Sequence, residues 1–479
     1  MMPTRRQPDK LDAASNNFCS IRTLNVDYAM NKTKDMTVGS PTKTIFFFSV
    51  PVLLGTLFQQ IYNMADTIIV GQFLGEDALA AVGATGSTVY LVIGFASGLT
   101  QGCGILVSQA FGGHRLNELK KVVGTALLLT VVFSVILTIP TVSFSRQILL
   151  ALHTPSNVLL YAHEYLRVIF GGILCTMAYN IAASILRSLG DSRTPLYFLI
   201  LSSFLNIVLD IFFIATLHMG TAGAAWATVL SQGISALLCF WYMFHNYNNL
   251  RLSIRDLYPD PYRILCMIQS GIPMALNQTV TAFGIMILQS GINQFGSSVM
   301  AAYTAASKLE SLVMQPMIAL GSGISTYCAQ NIGARKTKRI FVGVRSTMLL
   351  SLGAAILGMA LYGIASKAIL RIFLSDPSPE MVHYALQYLY TSVWFLLFLA
   401  WIFLFRNALV GLGNGLITII GGVAELLCRF LCIHFLLQPF GFWCICLTNP
   451  ITWIVACSLF CGFYFRWEHQ QKHCSKSAR

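Results

Sequence analysis

The sequence predicts an all-α membrane protein in which twelve transmembrane helices form two six-helix bundles related by a parallel repeat. Three observations predict it: the composition, the number of long apolar segments, and a repeat with a constant offset. Of the 479 residues, 56% are hydrophobic and only 10% are charged, whereas a soluble domain carries about 25% charged residues. Backbone groups in lipid must hydrogen-bond internally, so the apolar segments are predicted to be helices.

The elements follow one another without a large soluble insertion. A polar tail covers residues 1–43 and lacks the apolar run of a cleavable signal peptide. Twelve segments of about membrane-spanning length follow. The predicted spans are 44–70, 84–110, 122–142, 161–186, 195–217, 221–244, 264–293, 302–330, 340–365, 382–408, 415–437 and 443–465. They predict an N-terminal lobe over 44–245, a linker over 246–263, a C-terminal lobe over 264–466 and a tail over 467–479.

The positions of Lys and Arg predict the orientation. With the N-terminus inside, the outside connections carry only Arg146, Lys367 and Arg371. The inside group is much larger: Arg115, Lys120, Lys121, Arg187, Arg193, Arg251, Arg255, Arg263, Arg335, Lys336, Lys338, Arg339, Arg406, Arg466, Lys472, Lys476 and Arg479. Because cytoplasmic loops carry the excess of basic residues, both termini are predicted to be cytoplasmic.

The two halves of the chain resemble each other at four places. GEDALAA at 75–81 matches GSSVMAA at 296–302, and GCGILVSQAFG at 102–112 matches GISTYCAQNIG at 323–333, both with an offset of 221 residues. Pro51 matches Pro273 at 222, and LRSLG at 186–190 matches LVGLG at 409–413 at 223. Six helices per copy is an even number, so both copies insert in the same orientation, as in transporters built from parallel repeats.

The first predicted span contains a carboxylate. Asp66 lies late in it, on a turn with Gln59, Tyr62 and Asn63, and Pro51 interrupts the span early. A charged side chain in the middle of a membrane costs roughly 3 kcal/mol or more, so an intramembrane acid is a functional-site hypothesis by default. The alternative is an Asp near the helix end that reaches the headgroups.

A second acid lies at a similar predicted depth. Asn206 and Asp210 are four residues apart in the fifth span and therefore share one helix face. Two acids close together in a low dielectric cannot both ionise cheaply, so a proton is bound or a cation is held between them. Asn180, Asn206 and Thr228 would supply neutral oxygens. The alternative is local pairing of Asp210, for example with His218.

The second half has a different set of polar residues. Asn277 and Gln278 lie in the seventh span, which contains no acid. Lys308 and Glu310 lie in the eighth span, and Glu425 and Arg429 lie four residues apart in the eleventh. Each acid has a base nearby in sequence, and a neutral pair more often fixes packing than binds an ion. Whether these pairs are structural or take part in transport stays open.

The sequence lacks the motifs of metal-binding proteins, ATP-driven pumps and enzymes. The 13 cysteines have no partnering His or Cys cluster, and Cys packs as a small hydrophobe. There is no Walker-type phosphate loop, no His-rich metal motif and no nucleophile–base pair, so the chain is not expected to be an enzyme. Gly94, Gly98, Gly102 and Gly104 favour close packing of the second helix.

The motifs resemble the multidrug and toxic-compound extrusion (MATE) family. The resemblance rests on QQIYNMADTIIVGQFLG at 59–75, the pair of G-x6-Q-x2-G segments, LRSLGDSRTP at 186–195 and LNIVLD at 205–210, and it covers about residues 44–465. GDSRTP followed by Asn-x3-Asp is typical of the bacterial DinF-like branch. The NorM-like branch uses acids in helices 7 and 10, which this sequence lacks, and GLGNGLIT stands where relatives often have GDTRTP.

The resemblance implies two six-helix bundles around a central cavity and antiport of organic cations or drugs against H⁺ or Na⁺. By position it implies that Asp66, Asn180, Asn206, Asp210 and Thr228 form the cation-coupling network, with no metal beyond a possible Na⁺ and no other cofactor. Candidate cavity residues are Gln59, Tyr62, Asn63, Asn277, Gln278, Lys308 and Glu310, and Pro51 and Pro273 are candidate hinges.

We therefore expect an inner-membrane carrier whose partners are a small-molecule substrate and the lipid bilayer, without nucleic acid. One chain contains a complete two-lobe carrier, so a functional monomer is expected. The alternative is a flippase for a lipid-linked saccharide or another amphipathic lipid. Such proteins favour cationic cavities, and the membrane cations here are few (Arg167, Lys308 and Arg429).

Overall fold

The computed structural model describes residues 35–152, 154–247, 250–373 and 378–477, and these residues form helices and no strands. Residues 1–34 of the predicted N-terminal tail lie outside this part of the chain. In the first half the long helices are α1 (Pro41–Leu74), α2 (Glu76–Gly112), α3 (Leu116–Ser143), α4 (Ser156–Gly171 and Ile173–Ser188), α5 (Arg193–Ile211) and α6 (Gly220–Asn246). In the second half they are α7 (Pro261–Ile292), α8 (Ser297–Gly333), α9 (Thr337–Phe373), α10 (Pro379–Ser392 and Leu396–Gly411), α11 (Gly415–Leu431) and α12 (Phe442–Ser477).

Twelve spans are present, as predicted, although hydropathy alone does not identify all of them. Within the described ranges, ten helical segments are long and apolar enough to cross a membrane, and the two pieces of α4, bent by 47°, make an eleventh. The twelfth is α8, which is 37 residues long and carries many polar residues. Much of α8 packs inside the protein, where polar side chains find partners.

The repeat extends to the backbone conformation. Three pairs of glycines and one pair of other residues adopt positive φ at an offset of 221 to 223 residues. They are Gly75 and Gly296 (φ 84° and 86°), Gly190 and Gly413 (83° and 88°), Gly220 and Gly441 (61° and 53°), and His114 and Arg335 (53° and 58°). Two five-residue π-helical turns also correspond, Phe212–Thr216 after α5 and Cys432–Leu436 after α11. The halves therefore share their helix breaks as well as their sequence motifs.

Each half has its own apolar core, but the first turns of two helices cross over. One large cluster contains buried residues of the second half together with Met36, which precedes α1, and Ile45 and Phe48 in the first turns of α1. Conversely, Met267 at the start of α7 packs into a cluster of the first half. The lobe boundaries at residues 44 and 264 stay predictions. The first turns of α1 and α7 each pack with the opposite half of the chain.

Glycines allow α2 and α7 to pack closely across the two halves. A Cβ on Gly98 would lie 2.6 Å from the Ala275 backbone, and one on Gly102 would lie 2.4 Å from Gly271. Contacts this short exclude a side chain at either position, which accounts for the small-residue pattern predicted in α2. Gly104 instead faces α4, where Ser184 would be 2.2 Å from its Cβ.

The loop before α5 is organised by one carboxylate. Asp191 accepts hydrogen bonds from the backbone amides of Arg193 and Thr194, at 3.1 and 3.0 Å, and from the Thr194 hydroxyl at 2.6 Å. It also accepts a 2.9 Å bond from the Tyr247 hydroxyl beyond the end of α6. These bonds satisfy free amides at the start of α5 and tie the loop to α6, so the Gly-Asp-Ser-Arg-Thr-Pro motif has a structural role.

Candidate functional site

The two acids of the first half are neighbours. Asp66 on α1 and Asp210 on α5 lie on two helices that pack against each other, and their carboxyl groups are close enough to interact. The Asp210 side chain is completely buried, and both of its oxygens and Oδ1 of Asp66 lack a hydrogen-bond donor. No Lys, Arg or His of the described chain lies within 4.0 Å of either carboxylate. Two acids therefore meet here without a basic partner, and Asp210 does not pair with His218.

Neutral oxygens complete this pocket. Asn206, one turn before Asp210, is 1% exposed and donates a 3.4 Å hydrogen bond to the Thr228 hydroxyl of α6, while its Oδ1 has no donor. Asp210 stands just before the π-helical turn Phe212–Thr216, which widens α5. Such turns are frequent at functional sites. The pocket thus presents carboxylate, amide and hydroxyl oxygens to one small space.

Sequence reasoning missed three residues around the acids. Tyr165 on α4 is buried near both carboxylates, and Tyr62 on α1 lies beside Gln232 of α6. Gln232 in turn accepts a 2.6 Å hydrogen bond from the Thr176 hydroxyl. Tyr165, Thr176 and Gln232 are neutral residues that occur often in apolar helices, so no pattern in the sequence distinguished them.

Other predicted residues of the first half lie outside this cluster. Asn180 is half-buried on α4 and has no hydrogen-bond partner in the described part of the chain. The side chains of Gln59 and Asn63 are exposed on α1. Pro51 is buried within α1, and its counterpart Pro273 is buried within α7 beside Gly415. Both prolines interrupt long helices, where a kink or hinge has an identifiable cause.

In the second half, the amide pair on α7 takes part in helix packing. Asn277 is 6% exposed and donates a 2.9 Å hydrogen bond to the Thr418 carbonyl of α11. Gln278 is half-buried and faces Gly94 of α2, with its Cβ 3.7 Å from the position of a Cβ on that glycine. Gln278 therefore lies between the halves, whereas Asn277 joins two helices of one half.

Glu310 does not pair with Lys308, contrary to the expectation from sequence. Residues two apart point to different sides of a helix, and accordingly Glu310 is 6% exposed while Lys308 is exposed. The Tyr388 hydroxyl of α10 donates a 2.7 Å hydrogen bond to Glu310 Oε2, and Asn449 of α12 donates a 2.9 Å bond to that hydroxyl. Glu310 Oε1 has no donor.

Glu425 and Arg429 form the expected pair, at 3.8 Å between Oε2 and Nη2, and both are 8% exposed. Arg406 was counted with the inside group although the predicted span 382–408 includes it. It lies within the second piece of α10, with its guanidinium 5.0 Å from the centre of the Phe403 ring. The helix continues to Gly411, five residues beyond Arg406.

The repeated glutamines join the two halves reciprocally. Gln330 of α8 donates a 2.8 Å hydrogen bond to the Ser188 carbonyl at the end of α4, and Gln109 of α2 donates a 3.4 Å bond to the Gly411 carbonyl at the end of α10. Ser188 and Gly411 are themselves equivalent by the repeat. All four positions lie at the end of the molecule where α1 begins and α2 and α8 end, which we call the N-terminal face.

Two glycines permit this contact. A Cβ on Gly112 would lie 2.1 Å from the Gln330 carbonyl oxygen, and a Cβ on Gly333 would lie 2.0 Å from that of Gln109. The backbones of α2 and α8 therefore touch at the two equivalent ends of the repeated motif. The Gln and the last Gly of G-x6-Q-x2-G therefore join the halves at the N-terminal face.

A short segment before α1 reinforces the same face. The amide of Met36 donates a 2.9 Å hydrogen bond to Gln330 Oε1, and Asn331 donates a 3.2 Å bond to the Met36 carbonyl. Lys336 and Arg339 donate to the carbonyls of Thr37 and Gly39 at 3.0 and 3.1 Å. The chain leading into the first half is thus bound to α8 and α9 of the second half.

The oxygen set around Asp66 and Asp210 suits a hard cation or a proton, since such cations take oxygen ligands. Among the described residues, no three His, Cys, Asp or Glu side chains gather as a transition-metal site would require. A possible Na⁺ at Asp66 and Asp210 would be held by the two carboxylates with Asn206 and Thr228.

Twelve helices in two repeated halves define a multi-pass membrane transporter of the class that moves small molecules. The MatE family profile matches residues 51–212 and 273–439, so the chain belongs to the MatE family of multidrug efflux transporters, which confirms the family prediction. The DinF-like branch stays a prediction.

Named relatives and solved structures agree with this assignment. The chain is 30% identical over 358 residues to the probable multidrug resistance protein YpnP of Bacillus subtilis, covering 75% of this chain and 80% of that one. It is 25% identical over 340 residues to the probable multidrug resistance protein NorM of Thermotoga maritima, covering 70% and 73%. The fold matches a crystal structure of MATE in complex with MaL6 with a TM-score of 0.85 at 23% identity, covering 92% of this chain and 99% of that one.

Proposed function

We propose that the protein is a secondary antiporter that exports organic, mainly cationic, compounds in exchange for H⁺ or Na⁺. One observation carries the proposal. Asp66 Oδ1, Asn206 Oδ1 and both oxygens of Asp210 are buried acceptors with no donor. Buried polar atoms are nearly always hydrogen-bonded, so this concentration of exceptions needs an explanation. A bound proton or small cation supplies the missing positive partner.

The same pocket explains how an ion could drive movement. Two adjacent carboxylates repel each other in a low dielectric, and a proton or Na⁺ removes that repulsion. The acids belong to α1 and α5, so loading changes how these two helices attract each other. α1 contains Pro51 as a candidate hinge, and its first turns pack in the second half. A change at Asp66 can therefore reach the contact between the halves.

In the proposed cycle, the N-terminal face is the cytoplasmic side, as the distribution of Lys and Arg favours. The reciprocal contacts of Gln109 and Gln330 close this face while the opposite side is open. Loading of Asp66 and Asp210 from outside repacks α1, and the halves separate at the N-terminal face. The ion then leaves to the cytoplasm, a substrate binds, and the carrier returns. An inner-membrane location and a functional monomer complete the proposal.

The test uses Asp66→Asn and Asp210→Asn in proteoliposomes loaded with a fluorescent cationic dye. Imposed Na⁺ and pH gradients are applied separately. We expect one gradient to drive efflux in the wild type and each variant to lose that response, because an amide cannot bind the proton or replace the anionic ligand.

Asp77→Asn is the matched control, since Asp77 is an exposed acid of the same half that accepts a 2.9 Å hydrogen bond from Asn157. It should keep the full response to the gradient. Full ion-driven efflux by both Asp66→Asn and Asp210→Asn would refute the proposed coupling site.

A further inference from the structure

A groove of about 730 Å³ lies between α4 and α6 of the first half. Its lining includes Glu164, Arg167, Gly171 and Cys175 of α4 and Trp226 and Leu230 of α6. The side chains of Trp226 and Leu230 are 42% and 39% exposed, so the groove opens away from the interior of the protein. In a transporter that spans the membrane, such a surface is in contact with lipid. The volume is in the range of binding sites for small molecules, about 300–1,000 Å³.

Hydrogen bonds between α4 and α6 set the two ends of the groove. The Thr221 hydroxyl donates a 2.8 Å bond to the Tyr161 carbonyl near the start of both helices. Further along, the Thr176 hydroxyl donates a 2.6 Å bond to the side chain of Gln232. The two helices therefore run parallel and are fixed to each other at two levels, and the groove lies along the stretch between these levels.

The bend of α4 opens the groove. The two pieces of α4 meet at Gly172 with an angle of 47°. A Cβ on Gly172 would lie 2.2 Å from the Val229 side chain of α6, whereas a Cβ on Gly171 would have no neighbour within 4 Å. The helices thus touch on one side of the bend and leave open space on the other side, which Gly171 lines.

Two opposite charges line the end of the groove that is near the start of α6. Glu164 and Arg167 are exposed and three residues apart, so they lie on the same side of α4. Within the described ranges, neither has an oppositely charged partner within 4.0 Å, and they do not pair with each other. Charged side chains in a membrane-spanning segment are a functional-site hypothesis.

The rest of the lining carries no charge. From Glu164 to Cys175 the groove follows eleven residues of α4, or about 16 Å of helix. This length is about half of the roughly 30 Å hydrocarbon core of a bilayer. The groove therefore has a charged end and an apolar stretch as long as one leaflet, which is the arrangement of a phospholipid.

We propose that the groove binds one phospholipid with a zwitterionic headgroup that carries a primary amine, as in phosphatidylethanolamine. Arg167 takes the phosphate, Glu164 takes the ammonium group, and an acyl chain lies along Trp226 and Leu230. The inference goes beyond the proposed antiport and does not depend on it.

Charge complementarity selects this occupant. The two lining charges sum to zero, so a zwitterion neutralises both, whereas an anionic lipid leaves Glu164 facing a second negative charge. Arg presents a planar fork of donors that matches phosphate oxygens. A primary ammonium group donates hydrogen bonds to a carboxylate, as the ammonium of Lys does. The quaternary ammonium of choline has no N–H and cannot.

The experiment is native mass spectrometry of the purified full-length protein in detergent, titrated with three lipids that have the same acyl chains. Phosphatidylethanolamine carries the phosphate and the primary amine. Phosphatidylcholine keeps both charges without an N–H donor, and phosphatidylglycerol keeps only the phosphate. We expect the wild type to bind one phosphatidylethanolamine roughly 10-fold more tightly than either of the others.

Three variants test the parts of the site. Glu164→Gln should reduce the preference for phosphatidylethanolamine over phosphatidylglycerol, and Arg167→Gln should weaken the binding of all three lipids. Gly171→Trp should abolish the bound lipid by filling the groove. Gly353→Trp is its matched control, at an exposed glycine of α9 with open space around it. Arg146→Gln removes an exposed cation outside the groove. Both controls should bind as the wild type does.

Equal affinity of the wild type for the three lipids would overturn the proposal, as would phosphatidylethanolamine binding that is unchanged in Gly171→Trp. Tighter binding of phosphatidylglycerol would refute the zwitterionic headgroup. The wild-type comparison decides the question even if a charge variant does not fold. Binding is measured without an ion gradient, so the result is separate from that of Asp66→Asn and Asp210→Asn.

Discussion

Replacement of Gln330 by alanine should open the N-terminal face of the protein. The side chain makes two buried hydrogen bonds there, to the Ser188 carbonyl at 2.8 Å and from the Met36 amide at 2.9 Å. Alanine leaves both backbone groups without a partner while the face is closed. When the halves separate, water satisfies the same groups. The substitution therefore destabilises the closed state relative to the open one.

The magnitude follows from the number of bonds. An unsatisfied buried donor or acceptor costs about 1–3 kcal/mol, so two of them give about 2–6 kcal/mol. Since 1.4 kcal/mol is a factor of ten, the ratio of closed to open forms should fall roughly 30-fold or more. Gln109→Ala removes one longer, half-buried bond to Gly411 and should have a smaller effect, about 0.5–1 kcal/mol.

Hydrogen exchange measures this opening. The reporter is the segment 109–116, which touches α8 but receives no hydrogen bond from the Gln330 side chain. Exchange that requires separation of the halves scales with the population of the open form. Gln330→Ala should accelerate it strongly and Gln109→Ala weakly.

Gln315→Ala is the matched control. Gln315 is a buried glutamine of the same helix whose amide bonds at 3.0 Å to Ser311 within α8. It should leave exchange of the segment 109–116 unchanged. Equal exchange in the Gln330 and Gln315 variants would refute the idea that the repeated glutamines hold the face closed.

Two further substitutions follow from the same geometry. Gly112→Ala places a Cβ 2.1 Å from the Gln330 carbonyl oxygen, so it should increase exchange at the N-terminal face, whereas Gly83→Ala, with open space around it, should not. Unchanged hydrogen exchange in Gly112→Ala would show that α2 and α8 can move apart there without destabilising the closed face. Asp191→Ala removes the cap of α5 and leaves the Tyr247 hydroxyl unpaired, which should cost about 2–3 kcal/mol. Thermal unfolding in detergent measures it, and Asp191→Asn should recover part of the loss.

The sequence allowed the fold to be predicted because hydrophobic length and internal repetition are properties of the chain itself. The juxtaposition of Asp66 and Asp210 was also predictable, since both lie at a similar depth in spans that run in the same direction. A carboxylate in an apolar helix is rare and indicates a functional site, and both Asp66 and Asp210 gave this indication.

The side-chain contacts could not be predicted, because they depend on which side of each helix faces which neighbouring helix. Lys308 and Glu310 are close in sequence, but the helix directs one outward and the other toward Tyr388. Arg406 lies near the end of the predicted span 382–408, and the sequence did not show that the helix continues to Gly411. Gln232 carries no charge, so its contact with Thr176 became visible only in the structure.

The repeat separates two kinds of feature. The left-handed residues, the π-helical turns, the proline breaks and the Gly–Gln contacts recur in both halves. The charged side chains of the helices do not recur, since the first half has Asp66 and Asp210 without a base and the second has Glu310, Glu425 and Arg429. Two halves that move relative to each other need corresponding helix breaks and contact sites. Duplication of one sequence provides both halves with the same set. The proposed coupling site in the first half alone requires that the halves differ, and that difference lies in side chains that leave the shared backbone intact.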